Sequence, residues 1–186
     1  NDAIETANEE SEVLISSGTF NENIIWPDKN VKLIGAGIDS TIINGDDTAR
    51  VVRFESISIN DESLLKHVTI QNGNGGILID GSSPTIDSCK IINNTATGDV
   101  GGGIKIIGLG EDSVMPIITN NLIMNNASIG DESTSGGGAG IYVSTGKHFG
   151  NVIDTTEMLM DSFDFSMSVQ SMDHDVLDTI GRKNIS

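Results

Sequence analysis

The sequence predicts an all-β solenoid: a right-handed, single-stranded parallel β-helix of about six coils. Three observations point to it. A strand–turn–strand phrase recurs with five identities at one common offset. A second, strictly alternating element interleaves with it. Turn residues are plentiful while proline is scarce: the 186 residues hold 22 Gly and 3 Pro, a balance that suits short strands joined by tight turns.

The first phrase runs Ser83–Asn94 and again Val114–Asn126. Pro84 and Pro116 correspond, as do Ile86 and Ile118, Ile91 and Ile123, Asn93 and Asn125, and Asn94 and Asn126, all at the same separation along the chain. A weaker copy, Val68–Asn72, precedes them and belongs to a shorter coil. On this alignment Asn72, Asn94 and Asn126 occupy one coil position and stack as a hydrogen-bonded ladder.

The second element reads Gly75–Ile79, Gly102–Ile106 and Ala139–Val143. Ile77 and Ile79, Ile104 and Ile106, and Ile141 and Val143 face one side, while Leu78, Lys105 and Tyr142 face the other. A period of two marks a half-buried strand. The second interval between copies is longer than the first. The surplus falls in the polar stretches 95–100, 109–113 and 128–135, where a solenoid lets insertions bulge from its turns. A sandwich has no reason to repeat one phrase, and a leucine-rich repeat would show regular Leu and a helix per unit.

The chain up to Glu55 reads as the opening coils. Glu12–Ile15, Ile24–Trp26, Val31–Ile34, Thr41–Ile43 and Val51–Phe54 are short apolar strands, and Ala3–Asn8 is a short helix covering the open end. The repeat occupies residues 1–144 and stops near Ser144. In 145–186 the composition shifts to Met and Asp. Val169, Met172, Val176, Leu177 and Ile180 fall at helical spacing, with Gly181, Arg182 and Lys183 after them. An amphipathic capping helix near 169–180 and a poorly ordered tail are the two readings of that segment.

The chain is strongly acidic, with 27 Asp+Glu against 10 Lys+Arg and a net charge of −17. Such a surface repels phosphates and anionic lipid, so nucleic acid is not an expected partner. No apolar run approaches the length of a membrane span, so membrane insertion is not expected either. Cys89 is the only cysteine, which excludes an intrachain disulfide and a Cys-based metal site. Its apolar surroundings, Ile86–Ile92, place it in the core. Asn1 opens no signal-peptide pattern, which leaves a mature secreted chain, an excised domain and a fragment all open. The oligomeric state is open as well.

Val13–Ile24, followed by Val31–Gly37 and Ser40–Gly45, resembles the first coils of pectin methylesterases and of many uncharacterised secreted β-helix proteins. With the Gly-Gly-Ile and Ile-x-x-Asn-Asn repeats, residues 1–144 resemble the pectin-lyase-like superfamily of right-handed parallel β-helices. The resemblance implies an extracellular or cell-surface location and contact with polysaccharide or a cell-surface glycan. It implies no activity, since this fold hosts lyases, hydrolases, esterases and inert adhesins alike. The paired Asp and the Arg of pectin methylesterases find no match beyond a faint echo at Gln71-Asn72-Gly73. The clustered Asp, His and Arg-x-Lys of polygalacturonases are absent, as is any diagnostic pectate lyase motif.

Two candidate sites follow from the residues. Leu78, Lys105 and Tyr142 form an outward column on which a sugar ring could pack, Lys105 pairing with a carboxylate or sulfate. Ordinary exposed strand residues are the competing reading. Asp46, Asp47, Glu111, Asp112, Asp131 and Glu132, with the pair Asp61-Glu62, lie in turns, where stacked carboxylates would bind Ca²⁺. Solvated turn charges compete with that reading. Gly35–Ser40 mimics a dinucleotide fingerprint, but its third Gly is Ser40 and no helix follows, so it reads as a turn. His67, His148 and His174 are scattered. The expected function is therefore a secreted or cell-surface β-helix module contacting or processing polysaccharide. The alternatives are a non-catalytic structural or adhesive solenoid, and a polysaccharide lyase or carbohydrate esterase.

Overall fold

Strict alternation along each strand turns one set of side chains inward and the other outward, and the chain winds these strands into three parallel faces. The computed structural model describes residues 2–108, 114–131 and 136–144, together with the backbone of 152–153, 159–160 and 165–167. Sheet I holds β1 (Glu12–Ile15), β4 (Lys32–Gly35), β7 (Leu64–Lys66), β10 (Thr85–Asp87), β14 (Ile117–Thr119) and β18 (Val152–Ile153). Sheet II holds β2 (Gly18–Asn21), β5 (Thr41–Asn44), β8 (Thr69–Gln71), β11 (Lys90–Ile92), β15 (Leu122–Met124) and β19 (Leu159–Met160). Sheet III holds β3 (Ile24–Ile25), β6 (Val52–Phe54), β9 (Ile77–Asp80), β13 (Ile104–Ile107), β17 (Ile141–Ser144) and β20 (Phe165–Met167). Every neighbouring pair is parallel, and each coil takes one strand from each sheet in turn. This is a right-handed parallel β-helix.

The core is a set of aliphatic columns. Leu33, Leu65, Ile86 and Ile118 stack inside sheet I. Ile43, Ile70, Ile91 and Ile123 stack inside sheet II. Sheet III contributes Val52, Ile77, Ile104 and Ile141 beside Phe54, Ile79, Ile106 and Val143. None of these is more than 2% exposed. Each Ile or Leu so buried contributes roughly 1.5–3 kcal/mol relative to exposure. Trp26 packs on Phe54 with ring centroids 4.5 Å apart.

The five identities of the first phrase are stacking partners: Ile86 pairs with Ile118 and Ile91 with Ile123. The weaker copy sits differently. Gln71 pairs with Ile92, so Asn72 stacks under Asn93 and Asn125, and Gly73 occupies the place of Asn94 and Asn126. Asn72, Asn93 and Asn125 adopt left-handed φ values of 53°, 55° and 54°, which Asn tolerates better than most residues. His67, Ser88 and Asn120 do the same at the preceding corner, at 56°, 53° and 56°. These two columns of left-handed residues turn the chain from sheet I to II and from II to III.

The N-terminal helix α1 spans Asp2–Thr6, shorter than the expected Ala3–Asn8, and buries Ile4 against the first coil. Lys29 Nζ donates to the carbonyls of Glu5 and Ala7 at 2.7 and 2.6 Å, satisfying acceptors at its C-terminal end. The polar insertions at the corner between sheets II and III carry a strand pair of their own. There β12 (Thr95–Thr97) pairs with β16 (Ala127–Ile129) in a two-stranded sheet. Parallel pairing continues past the last copy of the repeat, where β18, β19 and β20 add to β14, β15 and β17. The stretch 169–180 lies outside the described residues. No helix among the described residues is long and apolar enough to cross a membrane.

Candidate surface site on sheet III

The outward column expected from the alternation is continuous. Lys105 pairs with Leu78 on one side and Tyr142 on the other. Register extends the column to Arg53, beside Leu78, and to Ile25, beside Arg53. Ile25, Arg53, Leu78, Lys105 and Tyr142 thus occupy five successive coils. They span four steps, about 19 Å at 4.7–4.9 Å per step. A second outward row, Asp80, Ile107 and Ser144, runs beside it. Ile25 is 48% exposed; the other four members of the first column are half-buried.

Lys105 is not free to receive a ligand anion. Its Nζ donates to Asp99 Oδ1 at 2.5 Å, and its side chain is only 18% exposed. The second oxygen, Asp99 Oδ2, accepts from Arg50 Nη2 at 2.8 Å. Arg50 is 7% exposed and also donates to the carbonyls of Ile77, Gly101 and Val100 at 3.3, 2.9 and 2.6 Å. It starts in the second coil and reaches the fourth, pinning the corner 99–101 over sheet III. Gly75 makes this possible. Its φ is +87°, and a Cβ there would stand 2.6 Å from Arg50 Nη1.

Burial of Asp99 opposes its ionisation, but hydrogen bonds from Arg50, Lys105 and the Val100 backbone outweigh it and hold the carboxyl below its usual range. Burial lowers the pKa of Arg50, against the opposing pull of Asp99. With its proton gone and each oxygen engaged by a cation, Asp99 has no proton to donate to a substrate. The remaining cation of the column, Arg53, donates through Nε and Nη2 to Glu55 Oε2 at 3.1 and 2.6 Å. Asp80 Oδ1 is screened from solvent and accepts no hydrogen bond from the described residues.

The turn carboxylates do not converge. Asp46 and Asp47 share one left-handed turn in the second coil, with φ of 53° and 54°, and Asp46 Oδ1 accepts from Asn44 Nδ2 at 2.5 Å. Asp131 lies in the fifth coil, where its carboxylate packs against Gly98. Three coil steps, about 14 Å, separate the two places, too far to share one ion. Asp61 and Glu62 border a separate open hollow on sheet I with Glu10, Lys32, Leu64 and Thr85. Among the described residues no group of three His, Cys, Asp or Glu side chains could hold a metal ion. Glu111, Asp112 and Glu132 lie outside the described residues, as do His148 and His174. His67 is a left-handed turn residue.

Sequence reasoning missed Arg50 and Asp99. The one available signal was Arg50 itself, a cation at the head of the strand segment Val51–Phe54. Nothing in the local pattern named Asp99, which stands 49 residues away in a polar insertion. No protein-family model matches the chain, and a search of curated proteins returns no significant relative.

Proposed function

We propose that this chain is a secreted or cell-surface β-helix module that contacts polysaccharide through the outer face of sheet III. One observation carries the reading: the unbroken column Ile25, Arg53, Leu78, Lys105, Tyr142, which offers an aromatic ring, apolar side chains and aliphatic stems along five coils. Sugar rings pack on such surfaces through their apolar faces, while polar tips take the hydroxyls. The likeness of Val13–Gly45 and of the two repeats to the pectin-lyase-like superfamily supports the same substrate class. Contact is favoured over cleavage at this face, because Asp99 and Lys105 are bound to one another instead of facing outward as an acid and a base.

A structural or adhesive solenoid is the second reading. It is favoured by the internal pairing of Arg50, Arg53 and Lys105, which is also what a purely architectural face would show. A glycan array with and without Ca²⁺, followed by an assay for unsaturated uronate products, separates the readings. Binding without Ca²⁺ that weakens in Tyr142→Ala, with no uronate product, is the expected result. Absence of binding in both conditions removes the polysaccharide reading, and product formation restores a lyase.

A further inference from the structure

The charges of the sheet III face, taken with the reading of that face as a polysaccharide surface, restrict the kind of polymer it takes. Among the described residues three cations lie in or beneath it, and each already holds a carboxylate. Arg53 is bridged to Glu55 by two hydrogen bonds. Arg50 and Lys105 share the two oxygens of Asp99. Asp80 adds a further carboxylate in the adjacent outward row, paired in register with Ile107. The described part of the face therefore has as many carboxylates as cations, set in a chain of net charge −17.

A uronate or sulfate polymer would have to pull Lys105 or Arg50 away from Asp99. That would leave a largely buried guanidinium, or a half-buried carboxylate, without its partner. It would also approach against the field of the whole protein. A neutral polymer meets neither obstacle. Its apolar ring faces lie on Tyr142, Leu78 and the stems of Arg53 and Lys105, and its hydroxyls donate to the carboxylate edges.

We infer that the sheet III face selects neutral glycans and rejects uronate- and sulfate-bearing ones, because each cation on it among the described residues is already engaged by a carboxylate. Lys105, the expected partner for an acidic sugar, acts instead with Arg50 to hold the corner at Asp99.

The test is titration of the intact chain, by calorimetry, with neutral hexaoses of glucose, mannose and N-acetylglucosamine and with hexagalacturonate and a heparin hexaose. Each is measured in low and in moderate salt. At least one neutral hexaose is expected to bind tenfold or more tightly than either acidic probe, with an affinity that salt barely changes. The variant Glu55→Gln unmasks Arg53 on a solvent-accessible edge without touching the core, and it should narrow the gap toward hexagalacturonate several-fold. Tighter binding of an acidic probe by the unmodified chain, or an unchanged gap in Glu55→Gln, overturns the charge argument while leaving polysaccharide contact standing. Binding of none of the five probes overturns the polysaccharide reading itself.

Discussion

Asn121 accepts the backbone N–H of Cys89, in the coil before it, at 2.8 Å, and returns its own amide to the carbonyl of Ile86 at 2.8 Å. The left-handed turn at Ser88 leaves the Cys89 N–H inside the solenoid turned away from the strand ladder, and the Asn side chain satisfies it. Asn126 does the same for Asn94 N–H and Ile91 C=O, at 3.0 and 2.9 Å. Asn94 serves Gly73 N–H and Ile70 C=O, at 3.0 and 3.2 Å. Replacing Asn121 with Ala strands the buried N–H of Cys89 and removes a second hydrogen bond to the Ile86 carbonyl. Leaving one buried N–H unsatisfied costs about 1–3 kcal/mol, and that is the expected loss in urea unfolding. A loss under about 1 kcal/mol would sink the idea that the Asn columns hold the corners together.

Arg50 ties three coils through one side chain, so its removal should be felt well beyond its own strand. Arg50→Met keeps much of the volume but leaves the carbonyls of Val100 and Gly101 unpaired and Asp99 without its stronger partner. Removing one partner of a buried pair costs about 3–5 kcal/mol. Arg53→Met should cost under about 1 kcal/mol, since Arg53 and Glu55 are each 35% exposed and such a pair is screened by solvent. Equal losses in the two variants, by thermal or urea unfolding, would contradict the staple.

The solenoid was legible wherever the inward pattern repeats without interruption. Ile86, Ile91, Ile118 and Ile123 declare their register by spacing alone, and the Gly-Gly-Ile phrase declares the third sheet. Gly76 and Gly103 show why glycine leads that phrase: a Cβ on Gly76 would come within 2.4 Å of the Gly103 carbonyl in the next coil. Two things were not legible. The register of Asn72 turned on a single position, because Gly73, and not Asn72, lies in the stack with Asn94. The masking of Lys105 depended on Asp99, in an insertion that obeys no repeat. A period reports which way a side chain points, and it carries no information about which loop folds over it.

Acid should destabilise the fold through Asp87 and Asp99. Burial works against both carboxyls. Bonds from Lys66, Asn120 and Ser88 at Asp87, and from Arg50 and Lys105 at Asp99, bring their pKa values below the usual range. A carboxyl with a lowered folded pKa stabilises the fold above its unfolded pKa, near 3.9. That stability is lost as pH falls through the lower folded value. Unfolding midpoints should therefore stay level from pH 7 to about 5 and fall below about 4. Asp99→Asn should start lower at pH 7 and fall less steeply in acid. A midpoint that rises between pH 5 and 3 would rule the mechanism out.

Cys89 offers a readout of the same corner from inside. It is 1% exposed, directly beneath Asn121 in the stack, and burial pushes its thiol up to about 12. The thiolate is the reactive form, so at pH 8 only about one molecule in ten thousand carries it in the folded chain. Iodoacetamide should leave the native protein unlabelled over hours and modify one thiol promptly in denaturant. Labelling in native buffer then measures local opening of the corner. Asn121→Ala should accelerate it by ten-fold or more at denaturant concentrations where the chain remains folded, because that variant loosens the turn that covers Cys89. Rapid labelling of the unmodified chain would place Cys89 outside the core. An unchanged rate in Asn121→Ala would show that the aliphatic column, with Leu65 and Ile86, keeps the thiol covered without the Asn bridge.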